Sequence, residues 1–338
     1  LEAPLELREL EARAVGAAAA GHVLAQAATQ VGVQRLRPNP TVDSRVGIAQ
    51  RRLGRRQGRV TLRAQAVRGE RRGLRGRLGV LDSFQQQQYN PFDLVVGVSA
   101  GATSAAGYLT GNAERNRRII LRMATQRDFF NPLRFVMKGH MTDVKWLWCE
   151  SRERYPLNVD ALSQQVPLQV AITNMHTGRA EYHQATAENI DELMEATCAL
   201  PLVYRTPPQL EDDFYVDGGV ADAIPVQHAY QQGCRDITVI LSQSWGYQKP
   251  EEKTPWMTDK MFADYPALIN TIHQRSATYN ETLKFIANPP ADCKIQIIAP
   301  PADFPVKRLT MNTARLIKGY RMGRQCAQQY FSQYTRAA

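Results

Sequence analysis

No apolar run in this sequence approaches the roughly 20 residues that a membrane-spanning helix needs, so no spanning helix is expected. Cysteine is sparse. Cys149, Cys198, Cys234, Cys293 and Cys326 are odd in number and lack C-x-x-C spacing, which indicates neither a disulfide framework nor a zinc site and fits a reducing cytoplasm. The alanine-rich stretch 15–28 is broken by His22 and Gln26 and has no basic segment before it, so it reads as a poor signal peptide. The first 78 residues lack more: they hold no aromatic residue, no Met, no Lys and no Cys, and all 27 aromatics fall after them.

What those 78 residues do hold is charge of one sign. Sixteen Arg stand there against six acidic residues, which accounts for the whole net charge of +10. The remaining 260 residues balance, with 26 basic and 26 acidic side chains. A neutral body gives no reason to expect nucleic acid as a partner of residues 79–338. Segment 1–78 reads as a disordered basic arm, a solvated tail, or GC-rich DNA translated out of its natural frame. The third reading is favoured, so the expected division is an atypical, disordered or misframed segment 1–78 and one domain over 79–338.

From Val80 onward order appears. Apolar runs such as "FDLVVGVS" and "DITVILSQ" read as buried strands, and they alternate with helical stretches such as "ENIDELMEATCAL". A long helix is expected from about Pro266 to Ile286 and a last one from about Thr310 to Tyr334. "PLQVAITNMHTG" and "AEYHQAT" read as a hairpin turning at Thr177-Gly178. The pattern predicts an α/β fold with a mostly parallel sheet covered by helices on both faces.

Two stretches carry chemistry. In "GVSAG", Ser99 falls where a strand ends and a helix begins, and Gly97 and Gly101 stand where a sharp corner leaves no room for side chains. This is the pattern of a nucleophile elbow, although a capping serine at a small-residue corner would read alike. A serine hydroxyl needs a base. Of the six histidines (His22, His140, His176, His183, His228 and His273), a Ser-acid-His order would need a late one such as His228 or His273, and both fall inside helical patterns rather than on a loop. Each is expected to be a surface or packing histidine. The stronger candidate is "FYVDGG", where Asp217 ends a strand and Gly218 and Gly219 open a turn. Alone it would be a turn aspartate; with the elbow, both groups are expected off the carboxyl ends of parallel strands, where Asp217 can take the serine proton.

"PFDLVVGVSAGA", the downstream "DGG" and "ATCALP" at 196–201 together resemble the patatin-like phospholipases, in particular their bacterial branch, over about Gly79 to the C-terminus. The resemblance implies a three-layer α/β/α fold and a serine lipid acyl hydrolase acting on lipid or ester substrates. It implies Ser99 as nucleophile, Asp217 as base, Gly97, Gly101, Gly218 and Gly219 as motif glycines, and neither metal nor other cofactor nor histidine in the mechanism. It also implies a glycine-rich oxyanion loop ahead of "GVLD". Here that place holds "GERRGLRGRL", a run broken by Glu70, Arg71 and Arg72, in which Gly73, Arg75 and Gly76 are the candidate members. Loss of one oxyanion donor costs roughly 10²–10³ in rate, so a lipid- or partner-binding protein without turnover is the rival reading. Phe129, Phe130, Phe135, Trp146 and Trp148 are candidates to line an acyl channel, against the plainer expectation that they are core. With a neutral body and no basic amphipathic helix, at most peripheral contact with a membrane is expected.

Overall fold

The computed structural model describes residues 62–67 and 74–334, apart from 127, 130, 132–141, 165, 202, 205, 252–254 and 307–311. Its compact unit begins at Leu62. The elements follow in the order β1 (Leu62–Val67), α1 (Leu74–Gln86), β2 (Leu94–Val98), α2 (Ala100–Leu109), α3 (Ala113–Arg122), α4 (Val144–Arg154), α5 (Asp160–Gln164), β3 (Leu168–Asn174), β4 (Ala180–Gln184), α6 (Ile190–Cys198), β5 (Gln209–Leu210), β6 (Asp213–Asp217), α7 (Val226–Gln231), β7 (Cys234–Ile240), α8 (Pro255–Met261), α9 (Pro266–Ala287), β8 (Lys294–Ile298) and α10 (Thr313–Tyr334).

The expected boundary after residue 78 is corrected. β1 lies before it and pairs in parallel with both β2 and β7, so this strand is central to the sheet. "LRAQAV" alternates small apolar with polar residues and lacks the β-branched run that marks a buried parallel strand, which hides its place from the sequence. Hydrogen-bonded neighbours run β5-β6-β3-β2-β1-β7-β8, with β4 also paired to β3. Side chains of β2 alternate between faces: Val95 joins one core with Phe84, Ala102, Leu193 and Tyr330, whereas Leu94 and Val96 join another with Val226, Ile237 and Tyr279. The sheet is thus a middle layer, with α1, α2, α6 and α10 on one face and α7 and α9 on the other.

Along the spatial run β3-β2-β1-β7-β8 every pairing is parallel, whereas the pairings of β4, β5 and β6 are antiparallel. β4 pairs with residues 169–173 of β3. β2 pairs with 168–171 and β6 with 172–174, so both must occupy the side of β3 that β4 leaves open. They run toward each other along that side. The expected parallel setting of Asp217 is therefore corrected: β6 is antiparallel to β3, and its last residue meets the end of β2 head-on.

Candidate active site

Ser99 follows the last residue of β2 and precedes the first of α2, at φ 52° and ψ −131°. A non-glycine residue in this region costs of order 1–3 kcal/mol and persists only where its surroundings enforce it. Those surroundings are visible. A Cβ on Gly97 would lie 2.5 Å from the Ala102 Cα, so only glycine lets β2 and α2 meet at so tight a corner. Gly101 is buried in the first turn of α2. The Ser99 N–H donates to the Thr197 hydroxyl at 2.7 Å, and that hydroxyl donates to the Ala171 carbonyl at 2.6 Å, tying the corner to α6 and β3 at once.

The Ser99 Oγ donates to Asp217 Oδ2 at 2.7 Å. Both residues are buried, Asp217 completely. The carboxylate is held from several directions. Its Oδ1 accepts the Gly219 N–H at 2.8 Å, the Asp217 N–H donates to the Ala199 carbonyl at 2.8 Å, and the Thr173 hydroxyl donates to the Asp217 carbonyl at 3.0 Å. A side chain on Gly218 would run into the Ala171 carbonyl, so β6 approaches β3 this closely only with glycine there. α2 begins beside Ser99: its first intrahelical bonds run from the Ala102 and Thr103 N–H groups to the Ser99 carbonyl, so the N–H groups of Ala100 and Gly101 open the helix. The positive end of the helix dipole therefore lies beside Ser99.

His228 and His273 are held in other contacts. His228 stacks on Tyr182 with ring centroids 3.5 Å apart and shares a 2.7 Å hydrogen bond with Gln169. Burial lowers its pKa to about 4. Tyr182 in turn donates to Asp222, a carboxyl that burial shifts upward. His273 pairs with Asp259 at 2.9 Å near the surface. Gly73 lies outside the described residues. Arg75 and Gly76 fall in the first turn of α1, where a Cβ on Gly76 would lie 3.2 Å from the Phe304 ring and where Gly323 of α10 is packed against the Gly76 backbone. Gly76 thus has a packing reason to be glycine. Val67, which ends β1, is level with Gly97, so β1 and β2 end at the same edge of the sheet.

Of the aromatics considered for a channel, Phe129 and Trp148 are buried; Trp148 belongs to the core and donates to Asp191 at 2.6 Å. Trp146 is half-buried, and Phe130 and Phe135 lie outside the described residues. Among the described residues no cluster of three or more His, Cys, Asp or Glu is placed to hold a metal ion, and no helix is long and apolar enough to cross a membrane. Thr173 and Arg275, which bonds the Gly219 carbonyl at 2.8 Å, are site residues that motif reading passes over, and Thr197 joins them at the site. "ATCALP" marks Thr197; nothing local marks Arg275.

A family model described as patatin-like phospholipase matches residues 76–230, and one described as a domain of unknown function (DUF6363) matches residues 265–337. An Escherichia coli K12 protein, described as uncharacterized protein YjjU, is 31% identical over 262 residues, spanning 75% of this chain and 72% of its own. Among solved structures, that of VipD from Legionella pneumophila is a remote likeness: 12% identity and a TM-score of 0.42 over 79% of this chain and 66% of that one.

Proposed function

Since the chain belongs to the patatin-like phospholipase family, a family of lipid hydrolases, we propose that it cleaves carboxylic esters of glycerolipids through an acyl-enzyme on Ser99, with Asp217 as base. The observation that carries this reading is the 2.7 Å contact of the Ser99 Oγ with Asp217 Oδ2 at a strained, buried strand-helix corner. Asp217 takes the hydroxyl proton as Oγ attacks the ester carbonyl. The resulting oxyanion is stabilised by N–H groups at the start of α2. Collapse breaks the ester C–O bond, and the leaving alkoxide receives the proton from Asp217. In the second half-reaction Asp217 takes a proton from water, hydroxide adds to the acyl carbon, and Ser99 leaves with that proton as the fatty acid departs.

The test is hydrolysis of a short nitrophenyl ester and of a phospholipid by the chain beside its Ser99→Ala and Asp217→Asn variants. Both substitutions are expected to lower kcat by roughly 10³-fold or more. Rates equal to the unsubstituted chain would overturn the reading. The broken glycine run around Glu70, Arg71 and Arg72 favours one second reading, a patatin-like protein that binds a lipid or partner without turnover. Ser99 labelled by a fluorophosphonate with no ester turnover would select it.

A further inference from the structure

We propose that Arg275, from the region whose family model carries no known function, is a positioning residue for the Ser99–Asp217 pair; this rests on the reading of Asp217 as base. Its Nε donates to the Gly219 carbonyl at 2.8 Å, and the N–H of that same glycine donates to Asp217 Oδ1 at 2.8 Å. The two bonds grip Gly219 on both sides of its Cα. With Oδ1 fixed by the turn, Oδ2 is the oxygen left facing the Ser99 hydroxyl. Rotation of the turn would swing the carboxylate off the serine, and a misplacement of 1 Å at a reacting group can cost about 10²-fold in rate.

The glycine itself supports the assignment. A Cβ on Gly219 would lie 3.1 Å from Asp217 Oδ1 and 3.8 Å from an Arg275 guanidinium nitrogen. The guanidinium and the carboxylate thus border one small space, and a side chain there would wedge between them. α9 is built to hold this grip. Leu268 and Ile272 pack with Val216, Val220 and Met175, which seats the helix against the end of β6. One turn before Arg275 on the same face, the Thr271 hydroxyl donates to the Gly178 carbonyl at 2.8 Å. That contact clamps the β3–β4 turn rather than the pair, and so serves as an internal control.

The experiment measures kcat and KM on the nitrophenyl ester, the rate of Ser99 labelling by a fluorophosphonate, and melting temperature, for the full chain and its Arg275→Ala, Arg275→Lys and Thr271→Val variants. Arg275→Ala is expected to lower kcat and the labelling rate together by about 10–100-fold, with KM held within about twofold. Arg275→Lys should recover part of the loss, because an ammonium restores a donor but not the planar fork. Thr271→Val should lower the melting temperature and leave kcat unchanged. If Arg275→Ala does not fold, Arg275→Gln carries the same comparison. Unchanged kcat and labelling in the Arg275 variants, or losses that merely track melting temperature as in Thr271→Val, would overturn the inference while leaving the proposed function standing. An unsubstituted chain no faster than Ser99→Ala, and unlabelled, would remove both.

Discussion

At the scale of single residues, Thr197 shows how one hydroxyl links three parts of the fold. It accepts from the Ser99 N–H and donates to the Ala171 carbonyl, and it is fully buried. Thr197→Val keeps the shape and removes both bonds, leaving a buried donor and a buried acceptor unpaired. Each such group costs about 1–3 kcal/mol, so the variant should lose about 2–6 kcal/mol in denaturant unfolding. Ser99 would also lose the restraint that holds its φ positive, and kcat should fall by about tenfold or more beyond any effect of unfolding. A normal kcat in a destabilised variant would show that the corner is held by β2 and α2 alone.

At the scale of elements, α1 and α10 cross with their backbones in contact. A Cβ on Gly79 would collide with the Tyr320 carbonyl and lie 2.8 Å from the Arg324 amide nitrogen, while one on Gly323 would collide with the Gly76 carbonyl. Around this crossing Phe84, Tyr89, Tyr330 and Phe331 pack edge to face, and the Tyr89 and Tyr330 hydroxyls share a 3.0 Å hydrogen bond. Gly79→Ala should gain about 1 kcal/mol of helix propensity. Overpacking of a close contact typically costs about 1–3 kcal/mol, and backbone atoms cannot move aside as a flexible side chain can. The expected net effect is a lower melting temperature, which a thermal scan would measure; a higher one would mean that the helices can part at no cost.

At the scale of the whole molecule, the family match ends at residue 230, yet the sheet and the site do not. β7 pairs with β1 along its full length, and β8 pairs with β7. α10 covers α1, and α9 supplies Arg275. A chain cut after Gln231 would remove the β7 partner of β1, leaving it an edge strand, and strip the apolar faces that α9 and α10 cover. It is expected to be insoluble or to lack a cooperative melting transition, as expression and circular dichroism would show. A soluble, cooperatively melting fragment would mean that the residues after 231 are dispensable to the core.

The sequence by itself determined the local events. The long helix foreseen at Pro266–Ile286 is α9 at Pro266–Ala287, and the hairpin foreseen at Thr177-Gly178 is the β3–β4 turn, with Gly178 at φ +66°. These are legible because propensity, capping and turn chemistry act over a few neighbouring residues. "GVSAG" and "DGG" are legible for the same reason, since glycine is demanded wherever backbones meet at a corner. Tertiary structure decided the rest. Only strand register shows that β2 and β6 meet end to end on one side of β3, bringing two residues 118 positions apart to 2.7 Å. Only packing makes the unremarkable "LRAQAV" a central strand and gives Arg275, in the middle of a long helix, a place against the Asp217 turn. Such long-range pairings leave no periodic trace along the chain, because each is fixed by surfaces that exist only once the sheet has formed.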